Sequence, residues 1–302
     1  MSFLPTLSLL VALASVAASL AEPVGATGVG ITSGAAQASA SDVPAAALKG
    51  AGSVGTAGAP ASPDSRFTVG ELLASDDFSG DLGRWRPELE SGGIVAVRDG
   101  ALEIDVPGGC SVWFALPLEG PLLITYEATA VSAGGPNDRV SDLNCFWMAN
   151  DTRSPGDLLA TPRSGKFADY DQLRCYYVGL GGNGNTTTRF RRYIGERGNR
   201  PLLPEHDLSA KEFLLGPNAR QTIQLVAAGD TIGYYRDGRR LFAYEDPAPY
   251  MRGWFALRTV ASHFEIRHFR VHRLVAAASS TSGRKGTSNN GQVTRGGESS
   301  ED

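Results

Sequence analysis

An all-β sandwich is the fold this sequence predicts, and three observations predict it. Short runs of β-branched and aromatic residues alternate with period two, and clusters of Gly, Asn, Asp and Pro separate them. Arg236-Asp237-Gly238-Arg239 is a tight hairpin signal, because Asp-Gly supplies the positive φ of a two-residue turn. No long amphipathic helix competes; 213–215 reads as a short helical turn at most. The 302 residues, 42% hydrophobic with 37 glycines and 17 prolines, suffice for one domain of ordinary size with flexible extras. A net charge of −4 excludes a strongly basic nucleic-acid binder. Three cysteines are too few for a disulfide scaffold.

The elements follow in chain order. Residues 1–21 form an apolar run rich in Leu, Ala and Val, with Ser19 and Ala21 where a signal peptidase selects small residues. This predicts a secreted protein, extracellular or periplasmic, with an uncleaved anchor as the alternative. No second apolar run reaches membrane length, so no membrane span is expected after cleavage. Residues 22–65 are Ala, Gly, Ser and Pro with almost no aromatic residue. Such a segment buries too little apolar surface to offset its chain entropy, which predicts a disordered linker. The folded domain is expected over 66–274. Its strand-like runs are 93–97, 101–106, 111–116, 122–131, 143–148, 172–178, 186–194, 222–227, 231–236, 239–244, 253–260 and 264–274. A polar tail, 275–302, is expected to be disordered like the linker.

The C-terminal third, "DTIGYYRDGRRLFAYED" followed by "GWFALRTVASHFEIRHFRVHRL", resembles the closing strands of concanavalin A-like jelly rolls. "DDFSGDLGRW", Asp76 to Trp85, resembles the opening of the same folds. The central strings "NDRVSDLNCFWMA" and "RSGKFADYDQLRCYYVGLGGNGNTTTRFRRY" resemble an uncharacterised family of secreted jelly rolls from polysaccharide-degrading microbes. The resemblance covers 76–274 and implies a jelly roll with a concave face that holds a glycan. The fold is related to jelly-roll polysaccharide lyases, glucanases and 3-keto-disaccharide hydrolases.

Strand alternation suggests which side chains line that face. Tyr170, Gln172, Arg174 and Tyr176 share the more polar side of their strand and are expected in the groove. Leu173, Cys175 and Tyr177 are expected in the core. Asp142, Asn144 and Phe146 would share the groove side of the preceding strand, opposite Leu143, Cys145 and Trp147. In 186–194 either face qualifies: Thr187, Arg189, Arg191 and Tyr193, or Thr188, Phe190, Arg192 and Ile194. From Arg163 to Arg200 there are eight basic residues against three acidic ones, on a chain of net negative charge. Arginine holds carboxylates with a planar fork of donors, so such a patch among Tyr, Asn and Gln suits an acidic sugar. The glycine-rich string 179–188 lacks the Gly-Lys-Ser/Thr ending of a phosphate loop. Its Asn183 and Asn185 are candidate donors to sugar hydroxyls.

No His-Glu-x-x-His string occurs, and the metal ligands, if any, are not identified by spacing. A structural calcium is one possibility, with Asp76, Asp77 and Asp246 as candidate oxygen ligands. Cys110, Cys145 and Cys175 are expected as small buried hydrophobes.

Two functions fit. The first is an enzyme acting on a uronate-containing polysaccharide by β-elimination. Arg174 with Gln172 or Asn144 would neutralise the carboxylate, and Tyr170, Tyr176 or His263 would supply base and acid. Arg189, Arg191, Arg192, Asp142, Asn183 and Asn185 would bind the substrate. Jelly-roll alginate lyases use a similar Arg, Gln, His and Tyr set. "DYDQLRCYY" resembles their Gln-bearing strand, with Arg174 where their Gln-x-His has histidine. A glycoside hydrolase is the neighbouring option. The Glu-x-Asp-x-x-Glu string of jelly-roll glucanases is absent, which leaves Asp142, Asp169 and Asp171 as possible acids. The second function is a non-catalytic carbohydrate-binding module, with Tyr176, Trp113 or Trp254 stacking on sugar rings. A surface adhesion protein is a third reading. A monomer is expected.

Overall fold

The computed structural model describes residues 60–278. The expected leader, 1–21, lies outside the described residues, as do most of the expected linker and tail. Fourteen antiparallel strands build the domain: β1 (Phe67–Asp76), β2 (Trp85–Leu89), β3 (Ile94–Arg98), β4 (Ala101–Phe114), β5 (Leu118–Glu119), β6 (Leu122–Ala130), β7 (Leu143–Asp151), β8 (Leu173–Gly181), β9 (Thr187–Ile194), β10 (Asp207–Leu208), β11 (Arg220–Ala228), β12 (Thr231–Arg236), β13 (Arg239–Glu245) and β14 (Arg252–Ala276). The turn between β12 and β13 is the Asp-Gly hairpin, with φ of 52° at Asp237 and 75° at Gly238.

Two strands run through both layers of the sandwich. The first part of β14 pairs with β7 and β4, and its later part with β6 and β1. β4 likewise pairs with β3 near its start and β2 near its end. The front sheet therefore reads β10-β9-β8-β7-β14-β4-β2, and the back sheet is β13-β12-β11-β6-β14 with β1, β4 and β3 beyond. The sequence breaks each of these long strands in two. The break in β14 is a bulge, where Ala261 takes φ of 46° between Val260 and Ser262.

The main core lies between the sheets, around Trp85, Phe114, Tyr126, Trp147, Tyr176, Tyr234, Phe255 and Phe269. A second buried cluster sits on the outer face of the front sheet. There Trp113 of β4, Phe146 of β7 and Tyr193 of β9 lie under Tyr170, which belongs to the loop between β7 and β8. Phe146 stacks on Trp113 at 5.8 Å and on Tyr170 at 5.4 Å. The three cysteines are free and buried.

The face assignment of β8 is corrected by this second cluster. Tyr176 points between the sheets, while Leu173, Cys175 and Tyr177 face outward beneath the loop. The loop lays Leu158, Phe167 and Tyr170 on the outer face, so both sides of β8 beyond Arg174 are buried and polarity no longer distinguishes them.

Candidate functional site

A buried ion pair fixes the β7–β8 loop on the front sheet. Arg163 has a side chain 0% exposed, and it bonds Glu88 of β2 at 3.0 Å and Asp151 of β7 at 2.9 Å. Its guanidinium lies 5.0 Å over the Trp113 ring. Glu88 Oε2 also accepts the Trp113 indole N–H and the Tyr170 hydroxyl, each at 2.8 Å. Every donor and acceptor at this junction is used, which is what burying charge requires. Burial pushes Asp151 upward, but bonds from Arg153 and the field of Arg163 outweigh it and hold the carboxyl below its usual range.

Beside the loop the outer face stays open as a cavity of about 360 Å³. Its floor is Asn144 of β7, Tyr177 and Gly179 of β8, Thr187, Arg189 and Arg191 of β9, and Arg258 and Val260 of β14. Phe167 and Arg200 form one wall; Arg139 and Asp142 form another, and Asn183 stands at the rim. Five arginines therefore face one carboxylate. Three of them are already paired: Arg139 with Asp142 at 2.8 Å, Arg189 with Asp207 at 2.8 Å and Arg200 with Asp171 at 2.9 Å.

Arg191 and Arg258 have no carboxylate partner among the described residues. Arg191 donates to the Arg200 carbonyl. Burial lowers its pKa, so its charge is held without an anion beside it. Arg258 is 2% exposed. It donates to Ser111 Oγ at 3.1 Å and the Gly165 carbonyl at 3.0 Å, and its Nε has no partner. Phe167 and Tyr170 each lie 4.8 Å from this guanidinium. Asn144, opposite Arg258 in the β7–β14 ladder, has an unpartnered buried Oδ1. Burial pushes the Tyr177 phenol well up, against the opposing field of Arg258, so it stays protonated at neutral pH.

The structure brings together Asp142, Asn144, Asn183, Arg189 and Arg191 of the residues expected from sequence, and separates the others. Tyr170 is fully buried on Glu88 in the covering loop. Gln172 offers its carbonyl to Thr152 and does not line the cavity. Arg174 lies against Gly195, exposed and outside it. Tyr176 is in the core, donating to Asp246 at 2.7 Å and accepting the Tyr250 N–H. Arg192 projects from the opposite face of β9 onto the same Asp246, at 2.7 Å. Asn185 turns inward and exchanges bonds with the Leu215 backbone, which fixes the glycine-rich turn. Trp113 and Trp254 are buried beneath the loop, unavailable to stack on a sugar.

His263 lies in the later part of β14. Its Nδ1 is 2.9 Å from Asp138 and its Nε2 3.5 Å from Glu103. Glu103, Asp105 and His263 place one ligand atom each within 4.8 Å of one another, a set that could hold a cation. Each already has a protein partner, since Arg98 forms an ion pair with Glu103 and Asn137 donates to Asp105. Asp138 is pushed down to about 2 by the backbone N–H groups of Ala133 and Gly135 and by His263. The three aspartates proposed for calcium are each engaged by protein groups. Asp76 accepts the Trp85 indole, Asp77 pairs with Arg270, and Asp246 holds Tyr176 and Arg192.

Sequence reading missed Arg139, Phe167, Tyr177 and Arg258. The signal for Arg258 was its outward position in the alternation Trp254, Ala256, Arg258 of the closing strand. Phe167 and Arg139 come from loops, whose path over the sheet strand periodicity does not encode.

No curated protein matches this sequence. Among solved structures, a protein of unknown function with a galectin-like fold from Bacillus subtilis is similar, at 14% identity. It aligns over 70% of this chain and 100% of its own, with a TM-score of 0.55. β-Agarase A from Zobellia galactanivorans aligns at 12% identity over 73% of this chain and 98% of its own, with a TM-score of 0.45. The carbohydrate-binding module CBM66 from Bacillus subtilis aligns at 12% identity over 63% and 95%, with a TM-score of 0.43. The galectin-like likeness is one of fold, and agrees with the two-sheet architecture described above. A family model matches residues 104–269, more than half of the sequence and the whole span from β4 to the later part of β14, so the chain belongs to the family described as a domain of unknown function, DUF6250.

Proposed function

We propose that this protein is a secreted carbohydrate-active protein that recognises an acidic, uronate-containing polysaccharide in the arginine-lined cavity of its front sheet. One observation carries the reading: Arg191 and Arg258 face the cavity with no carboxylate partner among the described residues, beside the unpartnered oxygen of Asn144. A guanidinium kept from water and left without an anion favours a ligand that brings one. Asn144, Asn183 and Thr187 offer the neutral donors and acceptors that sugar hydroxyls use, and Phe167 and Tyr177 give the cavity aromatic walls. The apolar run at 1–21 supports export.

Recognition is favoured over hydrolysis. Asp142 is the one carboxylate lining the cavity among the described residues, and it is engaged by Arg139, so a pair of free acids is not at hand. β-Elimination is the second reading, and Tyr177 favours it. Its phenol faces the same cavity as Arg258, placed to protonate the leaving oxygen as the C4–O bond breaks, while the arginines neutralise the uronate and Asp142, the carboxylate of the cavity, takes the C5 proton.

The test is retention of the protein on immobilised polygalacturonate and alginate against a neutral β-glucan, with ultraviolet absorbance of the eluate followed at the same time. Retention on a polyuronate, released by salt, is expected. A new absorbance from a double bond conjugated to the carboxylate would establish elimination. Equal retention on the neutral glucan, or none on either polyuronate, would overturn the proposal.

A further inference from the structure

We infer that the cavity takes the terminus of an acidic glycan chain and not its interior; this rests on the acidic-glycan reading above. The cavity floor crosses four strands in order, β9, β8, β7 and β14. The next strand is β4, whose Ser111 and Gly109 pair with Arg258 and Val260. A glycan chain passing along the front sheet would have to continue over that point.

It is closed there by backbone. The Gly165 carbonyl rests directly on Gly109, and Gly165 in turn lies against the backbone of Leu89 and Glu90 in and beyond β2. No β-carbon fits at either glycine, and Gly165 adopts a φ of +84° that favours glycine. This contact belongs to the loop locked by Arg163, and Arg258 donates to the same Gly165 carbonyl. The closed end is thus a fixed part of the fold, with the carboxylate-free Arg258 standing at it.

Two more sides are shut. Towards the start of β14, Tyr170 covers Phe146 and Trp113. Towards Ser262, the loop carrying Arg139 and Asp142 is tied down, because Ser262 Oγ donates to the Ser141 carbonyl at 2.7 Å. The way in lies above β9 and the glycine-rich turn, where Asn183 and Thr187 reach solvent. A cavity walled on these three sides, with a cationic closed end, accepts a chain end whose last sugars carry acid groups. A continuous chain would need a second opening.

The experiment counts binding sites per chain. Polygalacturonate is cut by mild acid into fractions of graded length, and each is titrated calorimetrically with the full-length protein at equal uronate mass. The expected result is one protein per chain at every length, so that capacity per unit mass rises in proportion to the number of ends. Capacity that follows mass, with several proteins on each long chain, would overturn the chain-end inference and leave the acidic-glycan reading standing. The same titration is run on alginate fractions, and binding to neither polymer at any length would overturn both.

Discussion

Replacing Arg191 by glutamine separates binding from folding. The side chain faces the cavity, and it donates to the Arg200 carbonyl. A hydrogen bond between a charged donor and a ligand carboxylate contributes ~1.5–3 kcal/mol. At ~1.4 kcal/mol per tenfold, Arg191→Gln should weaken binding to a uronate oligosaccharide roughly 10- to 150-fold. Folding loses one bond from a charged donor to a carbonyl, ~1.5–3 kcal/mol. Against that, the variant no longer holds a cation whose charge burial disfavours. The two effects oppose, so stability should fall by less than the ~1.5–3 kcal/mol of that bond. Calorimetric titration with an oligogalacturonate and urea unfolding measure the two quantities. Arg192→Gln is the control, since Arg192 points from the opposite face of β9 onto the buried carboxylate of Asp246. It should leave binding unchanged and cost at least ~1.5–3 kcal/mol of stability, since Arg192 gives up its charged bond to a carboxylate that keeps its Tyr176 and Ala248 donors, and a second bond to the Ala248 carbonyl. If Arg191→Gln binds as well as wild type, or Arg192→Gln loses the ligand, the assignment of faces on β9 is wrong.

Three further outcomes are expected. Arg163→Met breaks the buried pair with Glu88 and Asp151; because Asp151 keeps Arg153, the loss in urea unfolding should lie near ~3 kcal/mol, the lower end for such a break. A loss below ~1 kcal/mol would mean that the pair does not anchor the loop. Tyr177→Phe should weaken polyuronate retention by no more than the ~0.5–1.5 kcal/mol of a neutral hydrogen bond. A larger loss would shift the binding role from the arginines to the phenol, whereas unchanged retention with lost product absorbance would establish elimination. Burial holds His206 and His272 below their ordinary pKa, so as pH falls through about 6.5 the unfolded chain takes up protons before the folded one does. The urea midpoint should therefore fall between about pH 7.5 and 5.5, with a smaller drop in His272→Gln; a flat profile would refute the burial of neutral histidines.

Period-two alternation marked most of the strands, because each buries at least one face against the main core. It failed at β1, β2, β5 and β10. β5 and β10 are two residues long, and most of β1 and β2 is only partly buried, which dilutes the apolar signal. The candidate site was half legible. The run from Arg163 to Arg200 announced a cationic region, and Arg189, Arg191 and Arg200 do meet there. Alternation could not say that Arg192 would be claimed by Asp246, fifty-four positions along the chain. Nor could it reveal that a loop would bury the outer face of β8 and so send Tyr176 inward and Tyr177 to the cavity. That inversion is a long-range packing effect, and it alone moves the expected site by one residue along the strand.

The last strand also decides when the domain can exist. β14 pairs with β1, β4, β5, β6 and β7, so five strands made earlier wait for a partner that the ribosome delivers last. Until it arrives, β4, β6 and β7 present unpaired edges, and the front sheet has no centre. The growing chain is therefore held in an unfinished and aggregation-prone form until its final strand is free, and a stop codon before Arg252 would yield no smaller version of the domain.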